Sequence, residues 1–202
     1  TVGAIMELGA KPVFVDCNNT FCINEKLIEK KITKKTKAII PVHFTGYMSN
    51  MKAINKLGRK YKIPIVEDAC QSILGSIDGK KAGTWGSFGA FSLHPLKNIN
   101  VWSDGGIITT NSYKYYKHLL LLRNHGLADR DTVKIAGYNS RLDTIQAVVG
   151  NWLLPSALKI ANQRIKNAKY YDKNFSEIKQ ISIPKRIKAN KTVFHLYIIF
   201  AK

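Results

Sequence analysis

The amino-acid sequence predicts an α/β protein built on a mostly parallel sheet, followed by the start of a smaller α+β domain. Short apolar runs alternate with helix-length stretches through the first half of the chain, the pattern of strands joined by crossover helices. One such run, Ile63 to Glu67, closes on two adjacent carboxylates, Glu67 and Asp68. A glycine-rich stretch, Gly83 to Gly106, then sets two apolar runs on either side of a single turn lysine, Lys97.

Taken in order, Pro12 to Val15 reads as a strand, Asn24 to Lys31 as a helix, Ala38 to Val42 as a strand and Ser49 to Tyr61 as a helix. Ile63 to Glu67 is a buried parallel strand, and Phe88 to Leu93 and Ile107 to Thr110 form a strand pair around Lys97. Tyr113 to Arg123 is helical. From Leu142 the apolar spacing becomes helical through Ile145, Val148, Val149 and Leu153, and helix resumes after Pro155 towards Tyr171. Ile181 onward, including Phe194 to Phe200, reads as the first strands of the second domain. Residues 1–150 are therefore expected to form a large domain, and residues 151–202 a connecting helix and the start of the smaller one.

The lysine and the carboxylates suggest chemistry. A lysine at the edge of a low-dielectric core loses solvation of its charged form, and its free amine becomes available to attack a carbonyl. A carboxylate at the C-terminal end of a strand lies where α/β sheets bind ligands. Pyridoxal phosphate needs such a carboxylate to keep its pyridine nitrogen protonated. Glu67 alternates to the other face, which leaves Asp68 for that role. The glycines at 83, 86, 89, 105 and 106 suit close approach and positive φ around a flat ligand or a phosphate. Taken singly, each feature has a plain alternative: Lys97 as a solvated loop lysine, Asp68 as a helix N-cap.

Composition narrows the classes. The chain has 202 residues, 45% of them apolar and 22% charged, enough to bury a core. No run approaches the roughly 18 apolar residues of a membrane span, and no signal segment opens the chain. Cys17, Cys22 and Cys70 have neither paired nor metal-like spacing, which reads as free thiols in a reducing cytoplasm. His43, His118, His125 and His195 have no metal-like spacing either and read as structural or surface groups. The net charge of +19 lies largely in lysine clusters at 26–37 and 185–191. With little aromatic interleaving it reads as a solvated surface rather than a nucleic-acid platform.

The segments Val66-Glu-Asp-Ala-Cys-Gln71, Ser92-Leu-His-Pro-Leu-Lys-Asn98 and Asp104-Gly-Gly106, in that order, resemble motifs of the pyridoxal-phosphate-dependent sugar aminotransferases, the DegT/StrS family. Leu122-Arg-Asn-His-Gly126, Gly137-Tyr-Asn-Ser-Arg-Leu-Asp143, Gly9-Ala-Lys-Pro-Val-Phe-Val-Asp16 and Ile40-Pro-Val-His-Phe-Thr-Gly46 fall in the same register. Several ordered motifs are far more specific than one. The resemblance implies the aspartate-aminotransferase-like fold, type I. It also implies transfer of an amino group, from glutamate, to a nucleotide-linked keto sugar in surface polysaccharide or related glycan biosynthesis.

In that reading Lys97 would hold the cofactor and shuttle the proton, Asp68 would pair with the pyridinium, and Gln71 would bond the ring oxygen. Ser92 would donate to the phosphate. Asn139 would reach the phosphate of a neighbouring subunit, implying a homodimer with shared sites, with Arg141 close by. His94 is expected to be structural. The chain also resembles an internal fragment, without the N-terminal phosphate-binding segment and most of the small domain. Trp102 and Asp104 depart from the Thr-Gly-Glu-Gly-Gly that many members carry, and Trp102 is expected to reshape the acceptor pocket. Three other readings stand beside this one: a same-fold enzyme with a non-sugar acceptor, a non-catalytic relative, and a basic nucleic-acid-binding module.

Overall fold

The computed structural model describes residues 1–202. The chain opens with α1 (Val2–Glu7) and α2 (Glu25–Ile28), the latter capped by the Asn24 side chain and extended by a 3-10 turn over Glu29–Lys31. Then come α3 (Met51–Tyr61), β1 (Val66–Asp68), the short hairpin β2 (Ser76–Ile77) and β3 (Lys80–Lys81), β4 (Phe88–Ser92) and β5 (Gly106–Thr109). The helices α4 (Tyr113–Arg123), α5 (Thr144–Leu153) and α6 (Ala157–Phe175) follow, and β6 (Ile181–Ser182), β7 (Asn190–Lys191) and β8 (Phe200–Ala201) end the chain.

The sheet that carries the two carboxylates has the order β1-β4-β5, with β1 parallel to β4 and β5 antiparallel to it. A fourth line of backbone runs beside β1. Ile39 and Val42 make isolated parallel bridges to Ile65 and Asp68, where a continuous strand is expected from Ala38 to Val42. The cause is Pro41: its carbonyl accepts from Asp68 N–H at 3.0 Å, but it has no N–H to return, so the ladder breaks there.

Two further expectations are corrected. Pro12 to Val15 has no regular secondary structure and pairs with nothing in this chain; Val13 and Phe14 are 62% and 71% exposed. Phe194 to Phe200 is irregular except at Phe200, which pairs with Ser182. Phe194 has a left-handed backbone, φ 49°, and the N–H groups of Val193 and Leu196 go to the carbonyls of Gly46 and Thr45 instead of a neighbouring strand.

The larger apolar core lies between α3 and the sheet. Met51, Ile54 and Gly58 form the buried face of α3, packed with Ile39, Ile63 and Ile65. A second cluster, Leu93, Ile99, Val101 and Ala157, fastens the Lys97 turn to the start of α6.

Beneath the sheet sits a fully buried carboxylate. Glu67 Oε1 accepts from the backbone N–H groups of Trp85 (2.6 Å) and Gly86 (2.7 Å); Oε2 accepts from Gly83 N–H and from His43 Nε2, both at 2.9 Å. Ser49 N–H donates to His43 Nδ1 at 3.3 Å, which places the ring hydrogen on Nε2, towards Glu67. Burial works against the Glu67 charge, but His43 and the Gly86 and Gly83 amides outweigh it and hold the carboxyl below its usual range. The loop it grips includes Gly83, at φ 75°, whose Cα would lie 2.3 Å from a Cβ added at Gly89. The other glycines of this stretch have no positive φ; Gly86 and Gly89 instead lie close against the backbone of Ile65 and Gly83.

Replacing Glu67 by Ala strands those donors and should cost about 3–5 kcal/mol at neutral pH. Because the folded pKa lies below the unfolded one, the stabilisation is complete above about pH 4.3 and is lost as pH falls through the folded value. Urea midpoints of the full-length wild type and E67A should therefore converge in acid; a gap that does not change with pH would contradict this account.

Candidate active site

The C-terminal ends of β1 and β4 lie side by side, because Asp68 is in register with Ala90 in a parallel pair. Asp68 therefore ends one strand two residues short of the level at which Ser92 ends the next, and both face the edge where α/β sheets bind ligands. From Ser92 the chain makes a tight turn, Lys97 N–H donating to His94 O at 2.8 Å, and returns through Val101 N–H to Leu93 O at 3.1 Å. This turn holds Lys97 half-buried at the same edge, outside all the ion pairs of the structure.

Asp68 is tied to Cys70, whose thiol also feels the Lys97 charge. Cys70 N–H donates to Asp68 Oδ1 at 3.2 Å, and the Thr1 hydroxyl donates to Asp68 Oδ2. Burial opposes the Asp68 charge, yet the Thr1 hydroxyl and Cys70 hold the carboxyl below its usual range. The Cys70 thiol is pushed up to about 12 by burial and by Asp68, with the Lys97 charge pulling the other way. One half-buried sulfur thus lies within the field of both charged groups.

Gln71 is oriented from behind. Its Oε1 accepts from Thr45 N–H at 2.6 Å, where Thr45 has a left-handed backbone at φ 61°. With the carbonyl end committed, the amide NH2 is the end left for a ligand. Ser92 Oγ accepts from His94 N–H at 3.3 Å and keeps its own hydrogen to donate. These features fit pyridoxal phosphate: an anionic carboxylate for a protonated ring nitrogen, an amide donor for the ring oxygen, a hydroxyl donor for the phosphate and an unpaired lysine.

Asn139 makes no hydrogen bond to these groups. It is exposed, bridged in the backbone to Asn124, and its Oδ1 accepts from Arg141 Nε at 3.2 Å; Arg141 also donates to Asn124 Oδ1 at 3.0 Å. Trp102 stands 75% exposed with φ 66°. His94 is at 4.0 Å from Asp104 and accepts from Leu96 N–H, part of the turn itself. Sequence reasoning missed Thr45 and Thr1, which act through a backbone amide and a hydroxyl respectively. The lone signal for the first is the Thr-Gly at 45–46, a pair suited to a left-handed turn.

The family model for the DegT/DnrJ/EryC1/StrS aminotransferase family matches residues 1–202. A pleiotropic regulatory protein of Geobacillus stearothermophilus is 37% identical over 100% of this chain and 55% of its own length. A UDP-N-acetyl-3-dehydro-alpha-D-glucosamine 3-aminotransferase of Acidithiobacillus ferrooxidans is 35% identical over 98% of this chain and 54% of its own. The crystal structure of NtdA from Bacillus subtilis, with bound cofactor PMP, superposes with a TM-score of 0.87 at 30% identity, covering 99% of this chain and 46% of that one. The chain spans about half the length of the curated relatives it matches.

The charges around Cys70 can be read chemically. Iodoacetamide at pH 8 should label the exposed Cys17 and leave Cys70 unmodified, and D68N should speed Cys70 labelling because a negative neighbour is removed. Peptide mass mapping of the full-length protein checks it; equal labelling of Cys70 in wild type and D68N would contradict the arrangement.

Proposed function

The chain belongs to the DegT/DnrJ/EryC1/StrS aminotransferase family, and from that premise we propose that the protein is a pyridoxal-phosphate-dependent transaminase. It moves an amino group, from glutamate, onto a keto sugar carried by a nucleotide, in surface polysaccharide or related glycan biosynthesis. The observation that carries this reading is the parallel register of β1 and β4, which brings Asp68 and Ser92 to one sheet edge with the Lys97 turn directly after Ser92. Residues 1–150 form the cofactor-binding domain, and 151–202 the connecting helix and the start of the smaller one.

Bound pyridoxal phosphate supplies a reactive carbonyl and a ring that withdraws electrons from the substrate carbon. Asp68, held anionic, would keep a proton on the ring nitrogen. Gln71 Nε2, oriented by Thr45, would donate to the ring oxygen, and Ser92 Oγ would donate to the phosphate. Lys97 Nζ would hold the cofactor and, once released as a free amine, act as general base and acid. It would take up the proton released at the α-carbon of the amino donor and pass it on, and in the second half of the cycle would give a proton to the acceptor carbon. The basic surface favours an anionic nucleotide sugar.

The same reading makes the protein a homodimer in which Asn139 serves the partner's phosphate. Asn139, exposed and held to Arg141 at the surface, is open to a neighbouring subunit. No helix is long and apolar enough to cross a membrane. Free thiols at Cys17, Cys22 and Cys70 suit the cytoplasm.

A second reading, a relative that keeps the fold without turnover, has the regulatory description of the Geobacillus protein in its favour. The presence of both Asp68 and Lys97 favours catalysis.

Full-length protein with pyridoxal phosphate should be yellow, carry the borohydride-reduced label on Lys97, and bleach when glutamate is added. K97A should lower turnover by about 10²- to 10⁴-fold or more, the range lost with a general acid–base group. A colourless protein with no label at Lys97 would overturn the catalytic reading in favour of the second.

A further inference from the structure

The sheet has a second edge, and it is strongly basic. The 39–42 line and β1 run parallel, with Ile39 beside Ile65 and Val42 beside Asp68. Asp68 marks the edge of the proposed site, so the residues just before Ile39 and Ile65 lie at the other end. Before Ile39 come Lys30, Lys31, Lys34, Lys35 and Lys37, with Glu29 the one carboxylate among residues 29–37. Before Ile65 comes the end of α3, with Arg59, Lys60 and Lys62 and no acid. All eight cations are exposed.

The two segments form one patch. Glu29 Oε1 accepts from Lys60 Nζ at 2.5 Å and from Tyr61 Oη at 2.6 Å, and Ile39 N–H donates to Pro64 O at 3.0 Å. The patch's own carboxylate is thereby used within it, and Lys60 is the one cation of the eight that has an ion pair. Lys34 and Lys35 stand at the centre of a braced turn. Thr36 N–H donates to Thr33 O at 3.0 Å, Thr33 N–H to Thr36 Oγ1 at 2.9 Å and Lys35 N–H to Thr33 Oγ1 at 3.2 Å. The two threonines fix the backbone, so these lysines are presented on a set tip.

Like charges gathered this closely repel one another, and the proposed site does not use them. From Ile39 to Val42 is three extended residues, about 10 Å, already more than the Debye length of about 8 Å at physiological ionic strength. The patch is therefore screened from Asp68, Ser92 and Lys97.

We propose that this patch docks the protein, reversibly, on the surface of a bilayer containing anionic phospholipid. Seven of the eight cations are lysines, compact point charges without the fork that reads a single phosphate. Such charges suit a plane of spread headgroups, and clusters of about four to eight suffice for binding there. A nucleic-acid platform would add arginine forks and free aromatic faces for stacking. The one aromatic of the patch, Tyr61, is bonded to Glu29 and has Lys60 over its ring at 5.1 Å. The contact is electrostatic and needs no membrane-crossing helix, of which there is none. It is independent of the transaminase reading.

The test uses the full-length protein and vesicles of phosphatidylcholine, with or without about one-third phosphatidylglycerol as the anionic lipid. At about 0.1 M salt, where the Debye length is about 10 Å, the protein should sediment with the anionic vesicles and not with the neutral ones. It should be released at about 1 M salt, where that length falls to about 3 Å. K31E/K34E/K35E should weaken binding by about 100-fold or more, since each lysine at an anionic surface is worth roughly fivefold. K159E/K166E/K169E makes the same change of net charge on exposed lysines of α6 and should weaken binding less than about tenfold. The melting midpoint of K31E/K34E/K35E should not fall, because the three lysines are exposed and unpaired; should it fall, K31Q/K34Q/K35Q takes its place, with a loss of at least about tenfold expected. Equal loss in the two charge-reversed variants would assign the effect to net charge and overturn the docking surface. Binding to neutral vesicles, or to neither kind, would overturn it as well. So would patch-dependent binding to single-stranded RNA that is tighter, at the same salt, than binding to the anionic vesicles.

Discussion

The Glu67 carboxylate is the constraint on which the rest of the sheet edge depends. A buried charge is tolerated only when its acceptor sites are filled, and Glu67 fills its own with three backbone amides of the 83–86 loop and the His43 ring. Those bonds pull the loop against β1 and set where β4 begins. They also join β1 to the 39–43 line, where His43 sits. Since β-strand side chains alternate, the same strand that sends Glu67 inward sends Asp68 to the opposite face. One residue braces the sheet and its neighbour is left for chemistry.

The register of β1 with β4 then does the positioning. A parallel pair ends both strands at one edge, so a carboxylate on one and a hydroxyl and lysine just beyond the other arrive together without any long-range bond between them. The Lys97 turn is kept in place by its own backbone bonds and by the packing of Leu93, Ile99 and Val101 on Ala157. That packing makes α6 part of the support of the lysine, although it lies some sixty residues further along the chain.

The C-terminal segment 192–198 completes this support. It lies on Thr45 and Gly46 at one point and on Asn98 at another, and these hold Gln71 and flank Lys97 respectively. One segment thus lies against both the turn that bonds Gln71 and the residue that follows Lys97. Pre-organisation of this kind is what allows side chains on loops to act with the precision of those on strands.

Much of this was legible in the sequence. The alternating apolar runs identify the α/β class, the apolar spacing from Leu142 marks α5, and ordered motifs point to Asp68, Gln71, Ser92 and Lys97. These are local properties: a period, a short motif. What periodicity does not report is the partner. Pro12 to Val15 and Phe194 to Phe200 have strand-like composition but no strand beside them, because pairing is a relation between distant segments. Pro41 breaks a ladder only once Asp68 and Val66 are known to lie opposite. Glu67 and Thr45 show their roles only in three dimensions, since each acts through groups far along the chain, and such contacts leave no spacing to read.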